Sequence, residues 1–234
     1  MKNPLAYIVL LTIFSCRTRT TNDHANNIQL IIPDTTNNKR AQWDLEKIGY
    51  YSKIAYQLGL NDLKRGVDSF EIRAWYNFSF SNSKELYTIK LHDSTCSITY
   101  YRYYLKRFDL GHEKQNRNWN PITQPIIDSN VSKSVLIKNV DLKKGDLKKF
   151  DLAAIWDLHS QSELKISDHI GFTDCDTYTI EVADKKRYKF LAHHCPRGYF
   201  EQLKLHDITN FIDYFDAIKI IANKNNTIIP YAYD

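Results

Sequence analysis

The sequence is most strongly constrained by residues 69–80, SFEIRAWYNFSF, in which two sets of side chains alternate without interruption. Successive side chains of a strand point to opposite faces, so this segment predicts a β-strand with two different faces. One face is hydrophobic, and the other carries Glu71, Arg73, Trp75 and Asn77. A fold built on this strand must bury at least the hydrophobic face under other elements.

Two more segments continue this pattern directly after the first. Residues 85–92 and 95–106 are rich in β-branched and aromatic side chains and are preceded by short polar turns. Strands that follow one another through short turns run antiparallel, so the three segments predict a meander. Residues 134–140 are a further candidate strand, and residues 177–182 and 187–192 predict a hairpin.

Hydrophobic residues at three- and four-residue spacing predict three helices. The first covers residues 43–58 and stops at Gly59, the second covers 147–158, and the third covers 208–222 with Asp207 as its N-cap. Together the elements predict an α+β fold. Its antiparallel sheet consists of the three-strand meander and the hairpin, and the helices pack mainly on one face of that sheet.

Composition supports one domain and excludes some classes of protein. The 234 residues are 43% hydrophobic, which is enough for a substantial core, and residues 43–234 show no internal break. The net charge of +5 is spread along the chain, so we expect no nucleic-acid partner. Residues 16–42 are mostly polar and predict a tether, within which the hydrophobic run at 28–32 can dock as an edge strand. The long polar segment 108–133 predicts a loop.

The N-terminus has the pattern of an export signal. Lys2 precedes a ten-residue run at 5–14, LAYIVLLTIF, in which Thr12 is the one polar side chain. A membrane-spanning helix needs about 20 hydrophobic residues, so this run is too short to remain as an anchor. It has the length expected of the hydrophobic region of a signal peptide, which predicts that residues 1–15 are removed.

The residues that follow the run carry a resemblance to a known family. Ile13-Phe14-Ser15-Cys16 resembles the lipobox of bacterial lipoprotein precursors, although Phe14 stands where that family usually has a smaller residue. The resemblance covers residues 1–16 alone. It implies that Cys16 is acylated and that the protein is anchored by lipid to a membrane of the cell envelope, facing the periplasm or the exterior.

Two of the remaining cysteines are candidates for a disulfide. If the predicted hairpin has a three-residue loop at 184–186, Ala183 faces Arg187, and the same register places Cys175 opposite Cys195. A bridge is then geometrically feasible in an oxidising compartment. The alternative is that both cysteines are reduced and buried.

The same region offers a competing metal hypothesis, because several potential ligands lie at the open end of the hairpin. His193 and His194 are adjacent, however, and adjacent residues of a strand point to opposite faces. No paired spacing typical of a zinc site is present. We therefore expect no metal and no other cofactor. The potential ligands are Asp174, Cys175, Asp176, His193, His194 and Cys195.

No motif of a nucleophile elbow, a phosphate-binding loop, a dinucleotide site or a zinc protease occurs in the sequence. The first hypothesis is therefore a binding module whose ligand, a protein or a carbohydrate, meets the face of Glu71, Arg73, Trp75 and Asn77. The alternative for that face is burial under helices. The second hypothesis is a hydrolase of envelope polysaccharide or peptide that uses Glu71 or Glu181 as an acid. A third is an immunity protein that neutralises a toxin.

Overall fold

The computed structural model describes a seven-stranded sheet and, within the described residues, three α-helices, so the fold is α+β. Short 3-10 turns lie at Leu63–Arg65, Ala154–Trp156 and Gln161–Glu163. The described residues are 28–78, 81, 83–92, 95–106, 130–143, 151–167 and 170–223.

The sheet is mixed rather than purely antiparallel. Its strands lie in the order β1-β7-β6-β2-β3-β4-β5, and every neighbouring pair is antiparallel except β1 and β7. The antiparallel sheet was predicted from strands that are joined by short turns. β1 meets β7 across most of the chain, so no short turn fixes their relative direction. The strands are β1 Gln29–Ile31, β2 Phe70–Asn77, β3 Ser83–His92, β4 Thr95–Leu105, β5 Val131–Lys143, β6 Thr177–Asp184 and β7 Arg187–His194.

The helices are α1 Lys39–Gln57, α2 Pro196–Leu203 and α3 His206–Asn223. The side chain of Asn38 accepts a hydrogen bond from the backbone of Ala41 at 3.0 Å and so caps the start of α1. α1 is followed by Gly59, whose φ of +73° suits a residue without a Cβ atom. The predicted first and last helices are confirmed. Asp207, the predicted N-cap, lies instead in the first turn of α3.

The helices cover both faces of the sheet, which corrects the prediction that they pack mainly on one. α3 packs on the face that carries Ile72, Ala74 and Tyr76 of β2. α1 packs on the opposite face, in a second hydrophobic cluster with Trp75. The sequence did not predict that the face of Trp75 is packed against a helix, because the other side chains that β2 places on that face are charged or polar.

Other segments differ from their predictions in extent. β1 and the first turn of α1 lie within the predicted tether. β5 begins at Val131, inside the predicted loop, whereas residues 107–129 lie outside the described residues. The described part of the predicted second helix contains a 3-10 turn at Ala154–Trp156 in place of an α-helix. α2 has no counterpart among the predicted elements.

Replacing one buried side chain on each face tests the two-sided core. We expect Ile54→Ala on α1 and Phe215→Ala on α3 each to lower the free energy of unfolding by about 2–5 kcal/mol, because both side chains are fully buried. Tyr56→Ala is the control on α1, since Tyr56 is 83% exposed. Its effect should stay within about 0.5 kcal/mol in urea unfolding. An effect as small as this control for either core variant would contradict the two-sided core.

Candidate functional site

The face proposed from the sequence as a binding surface lies beneath α1 and the segment that follows it. Glu71, Arg73 and Trp75 are 5%, 1% and 0% exposed. The ring of Tyr51 from α1 lies 4.9 Å from that of Trp75, centroid to centroid. Asn77, at the end of β2, is half-buried and donates to the Tyr51 hydroxyl at 2.7 Å. The structure therefore places these residues inside the protein and not on an open platform.

Arg73 and Glu71 satisfy each other within this interior. Arg73 Nε donates to Glu71 Oε1 at 2.8 Å, and Arg73 Nη2 donates to the carbonyl oxygen of Asn61 at 2.7 Å. Lys90 Nζ approaches the second carboxylate oxygen of Glu71 at 3.5 Å. A buried charge is costly unless it is paired and hydrogen-bonded, and here both conditions are met.

Glu181 lies in the same interior, directly opposite Arg73 on the neighbouring strand. Its two carboxylate oxygens accept hydrogen bonds at 2.8 Å from the Trp75 indole and at 2.8 Å from the Tyr188 hydroxyl. Burial raises the pKa of the Glu181 carboxyl. Because Glu71 and Glu181 are both buried and hydrogen-bonded within the protein, their environment gives no support to the hydrolase hypothesis.

Cys175 and Cys195 are joined by a disulfide in the structure, with an Sγ–Sγ distance of 2.15 Å. The hairpin register differs by one residue from the predicted one, because Ala183 faces Tyr188 and not Arg187. The two cysteines meet just beyond the paired strands. Cys195 has a left-handed φ of +53°, which turns the chain into α2, and its N–H donates to the Asp176 carbonyl at 2.9 Å.

The disulfide belongs to a compact region in which residues 170–176 contact α2. The rings of Phe172 and Tyr199 meet edge to face at 4.8 Å, and the Tyr199 hydroxyl donates to the Ile170 carbonyl at 3.0 Å. Gly198 of α2 faces both groups: a Cβ atom there would lie 2.9 Å from Cys195 Sγ and 3.1 Å from the Phe172 ring. The close contact between the disulfide and α2 therefore requires glycine at this position.

Two glycine variants within helices test this contact. Gly49→Ala in α1 should stabilise the protein by about 0.5–1 kcal/mol, because nothing lies within 4 Å of the added atom. Gly198→Ala should destabilise it by about 1–3 kcal/mol, because the disulfide and Phe172 must shift. Thermal and urea unfolding of both variants give the comparison. Equal stabilisation by the two substitutions would show that α2 is not in close contact with the disulfide.

The histidines of the metal hypothesis have protein partners. His193 is buried, its Nε2 lies 2.9 Å from the His159 carbonyl, and burial lowers its pKa to about 4. His194 Nε2 lies 3.1 Å from the Phe172 carbonyl, and burial also lowers the His194 pKa. Among the described residues, no group of three or more His, Cys, Asp or Glu side chains could hold a metal ion.

A different group of residues forms the candidate functional site, which we name the cationic–aromatic cluster. It lies at the end of the sheet where β2 ends and β6 begins, beside α2 and α3. Lys219 Nζ lies 4.1 Å from the centre of the Tyr76 ring, and the Tyr76 hydroxyl donates to Asp176 at 2.6 Å. The cluster consists of Tyr76, Lys84, Asp176, Tyr178, Arg197 and Lys219.

Positive charge at this cluster is held in a partly dehydrated environment. Lys84 Nζ donates to the Phe78 carbonyl, and burial lowers its pKa to about 8, while the Asp176 carboxylate acts in the opposite direction. Burial also lowers the pKa of Lys219. Arg197 donates to the Tyr178 hydroxyl at 3.1 Å and to Asp216 at 2.6 Å, and its side chain is largely exposed.

The rings of Tyr76 and Tyr178 are buried, whereas Asp176 and Lys219 are half-buried and Arg197 is exposed. Because cations and a carboxylate meet at one accessible place, the arrangement suits recognition of a polar ligand. The cluster was not predicted from the sequence, because Tyr76 lies on the face of β2 that was predicted to be hydrophobic, and its other members come from distant segments. The hydroxyl groups of Tyr76 and Tyr178 are the sequence feature that could have indicated the cluster. A buried tyrosine usually has a hydrogen-bond partner, so two tyrosines on neighbouring strands indicate polar groups nearby.

The remaining site of the sequence analysis, Cys16, lies outside the described residues. None of the described helices is both long and apolar enough to cross a bilayer. In comparisons with protein families, with curated proteins and with solved structures, no match to this chain is found.

Proposed function

We propose that the protein is a cell-envelope lipoprotein, acylated at Cys16, whose α+β domain is a binding module for a protein or carbohydrate ligand. The observation that carries this proposal is the short hydrophobic run at 5–14, which is followed directly by Ser15-Cys16. On this proposal the anchor is lipid, which requires more than one acyl chain for stable attachment. The domain is then held outside the cytoplasm.

The disulfide supports export independently of the N-terminus. Bonds such as Cys175–Cys195 persist in oxidising compartments and are rare where cellular thiols are kept reduced. Cys96 is buried and free, which protects its thiol from exchange. An envelope location accounts for both a stable bridge and the signal-like N-terminus.

Metabolic labelling with palmitate tests the anchor. We expect the full-length protein to incorporate label and to fractionate with membranes, whereas Cys16→Ala should abolish the label because it removes the acylated thiol. Cys96→Ala is the matched control and should be labelled like the wild type. Undiminished labelling of Cys16→Ala, or recovery of unlabelled wild-type protein in the cytosol, would contradict the proposal.

The binding function is assigned to the cationic–aromatic cluster because its charged side chains are exposed or half-buried, whereas Glu71, Arg73 and Glu181 are buried. Arg197 and Lys219 present positive charge beside the tyrosine rings, a combination suited to carboxylate-bearing or hydroxyl-rich ligands. The burial of Glu71 and Glu181 favours binding over the hydrolase hypothesis.

Paired variants of the anchored protein test this assignment. Arg197→Ala with Lys219→Met should weaken retention on isolated envelope polysaccharide, or crosslinking to envelope proteins, by about tenfold, because charge-assisted contacts are lost. Lys106→Ala with Lys133→Met removes the same charge from exposed positions elsewhere and should leave both readouts unchanged. Equal binding by the two pairs would exclude the cluster, and release of soluble sugar or peptide would indicate a hydrolase.

A further inference from the structure

We propose that the end of the domain where β1 begins, the tether end, docks on an anionic membrane surface when the protein is anchored. The tether end comprises the β6–β7 turn, the start of β1 and the 3-10 turn at Leu63–Arg65. This inference rests on the proposed lipid anchor at Cys16. Beyond that anchor, it specifies which surface of the domain faces the bilayer and that this surface recognises anionic lipid headgroups.

The path of the chain brings the anchor to this end. The Gln29 N–H donates to the Lys186 carbonyl at 2.7 Å, and Gln29 pairs with Arg187 at the start of the parallel β1–β7 ladder. The segment that precedes β1 therefore reaches the domain beside the β6–β7 turn. A lipid anchor at Cys16 is therefore connected to the domain at this end.

The part of the tether that precedes β1 limits how far the tether end can lie from the membrane. Residues 17–28 lie between Cys16 and β1. Twelve residues span at most about 40 Å when fully extended, and a flexible chain of this length averages about 20 Å. An anchored domain therefore keeps its tether end within about 40 Å of the headgroups.

Basic side chains are concentrated at this end. Lys185 and Lys186 form the exposed β6–β7 turn, and Arg65 is exposed on the adjacent 3-10 turn. The two turns are in contact, because the Val67 N–H donates to the Asp184 carbonyl at 3.2 Å. An added Cβ atom at Gly66 would lie 3.4 Å from the Lys185 carbonyl oxygen, which shows how closely the backbones approach.

The local charge is net positive after internal pairing. Asp184 accepts from Arg187 at 2.7 Å, and Asp62 lies 3.7 Å from Lys64. Within the described residues, Arg65, Lys185 and Lys186 have no such carboxylate partner, and exposed Asp68 is the one acidic side chain left between the two turns. An open depression of about 410 Å³ borders the basic turn and is lined by Gln29, Ser69, Asp184, Lys185, Lys186 and Arg187.

These features fit an anionic lipid surface in particular. Each basic residue near such a surface strengthens binding by roughly fivefold, and the attraction falls off within a Debye length of about 10 Å. Because the anchor already holds the tether end close to the bilayer, even three weakly attracting cations can fix the orientation of the domain.

Lysine accessibility on vesicles tests the orientation. The mature lipidated protein is reconstituted into vesicles of phosphatidylcholine alone or of phosphatidylcholine with phosphatidylglycerol. Vesicle-bound protein is isolated by flotation, and its lysines are then acetylated at fixed pH. Lys185 and Lys186 should be labelled about fivefold more slowly on the anionic vesicles at low salt, and salt at about 1 M should remove the difference. Lys106, at the opposite end of the sheet, should be labelled equally on both.

Matched charge reversals complete the test, with labelling of Lys64 as the reporter at the tether end. Lys185→Glu with Lys186→Glu should remove the protection of Lys64, whereas Lys106→Glu with Lys133→Glu should preserve it. Floated protein that is labelled equally on both vesicles would overturn the docking inference and leave the anchor standing. Protein that fails to float and carries no acyl group would overturn the anchor and the inference together.

Discussion

The structure depends on the pairing of charged side chains that are buried on the face of the sheet that α1 and the segment after it cover. Arg73 lies there with Glu71 at 2.8 Å, and Glu181 is held by Trp75 and Tyr188. Removing one partner of such a buried pair typically costs about 3–5 kcal/mol, because the other charge is left without compensation. The hydrogen bonds of Glu181 to Trp75 and Tyr188 join β6 to β2 and β7, and the burial of these groups removes the face from contact with a ligand.

With both faces covered, the ends of the sheet are left for recognition. The cationic–aromatic cluster lies where β2 ends, and the tether end lies where β2 begins. If Cys16 is acylated, the anchor is connected to the domain at the tether end, and the cluster lies at the end of the sheet away from that connection. The two proposals are therefore compatible, because each assigns a different end of the same sheet.

Local patterns predicted the elements well where one physical signal dominated. The alternation in residues 69–80 predicted β2, and the regular spacing from Ile208 to Ala222 predicted α3. The predicted register of the hairpin differs by one residue from the observed register, because the length of the loop cannot be read from a run such as Asp184-Lys185-Lys186. Tyr76 was assigned to a hydrophobic face and its hydrogen bond to Asp176 was missed, since that contact joins distant segments.

The sequence by itself determined the strands of the meander, the first and last helices, the α+β class and a signal-like N-terminus, because periodicity and hydrophobic length are local properties. Only the tertiary structure decided that β1 lies parallel to β7, that Glu71, Arg73 and Trp75 are buried, and that two basic turns lie beside the start of β1. These features follow from contacts between residues far apart in the chain, whose pairing depends on packing and on compensation of buried charge.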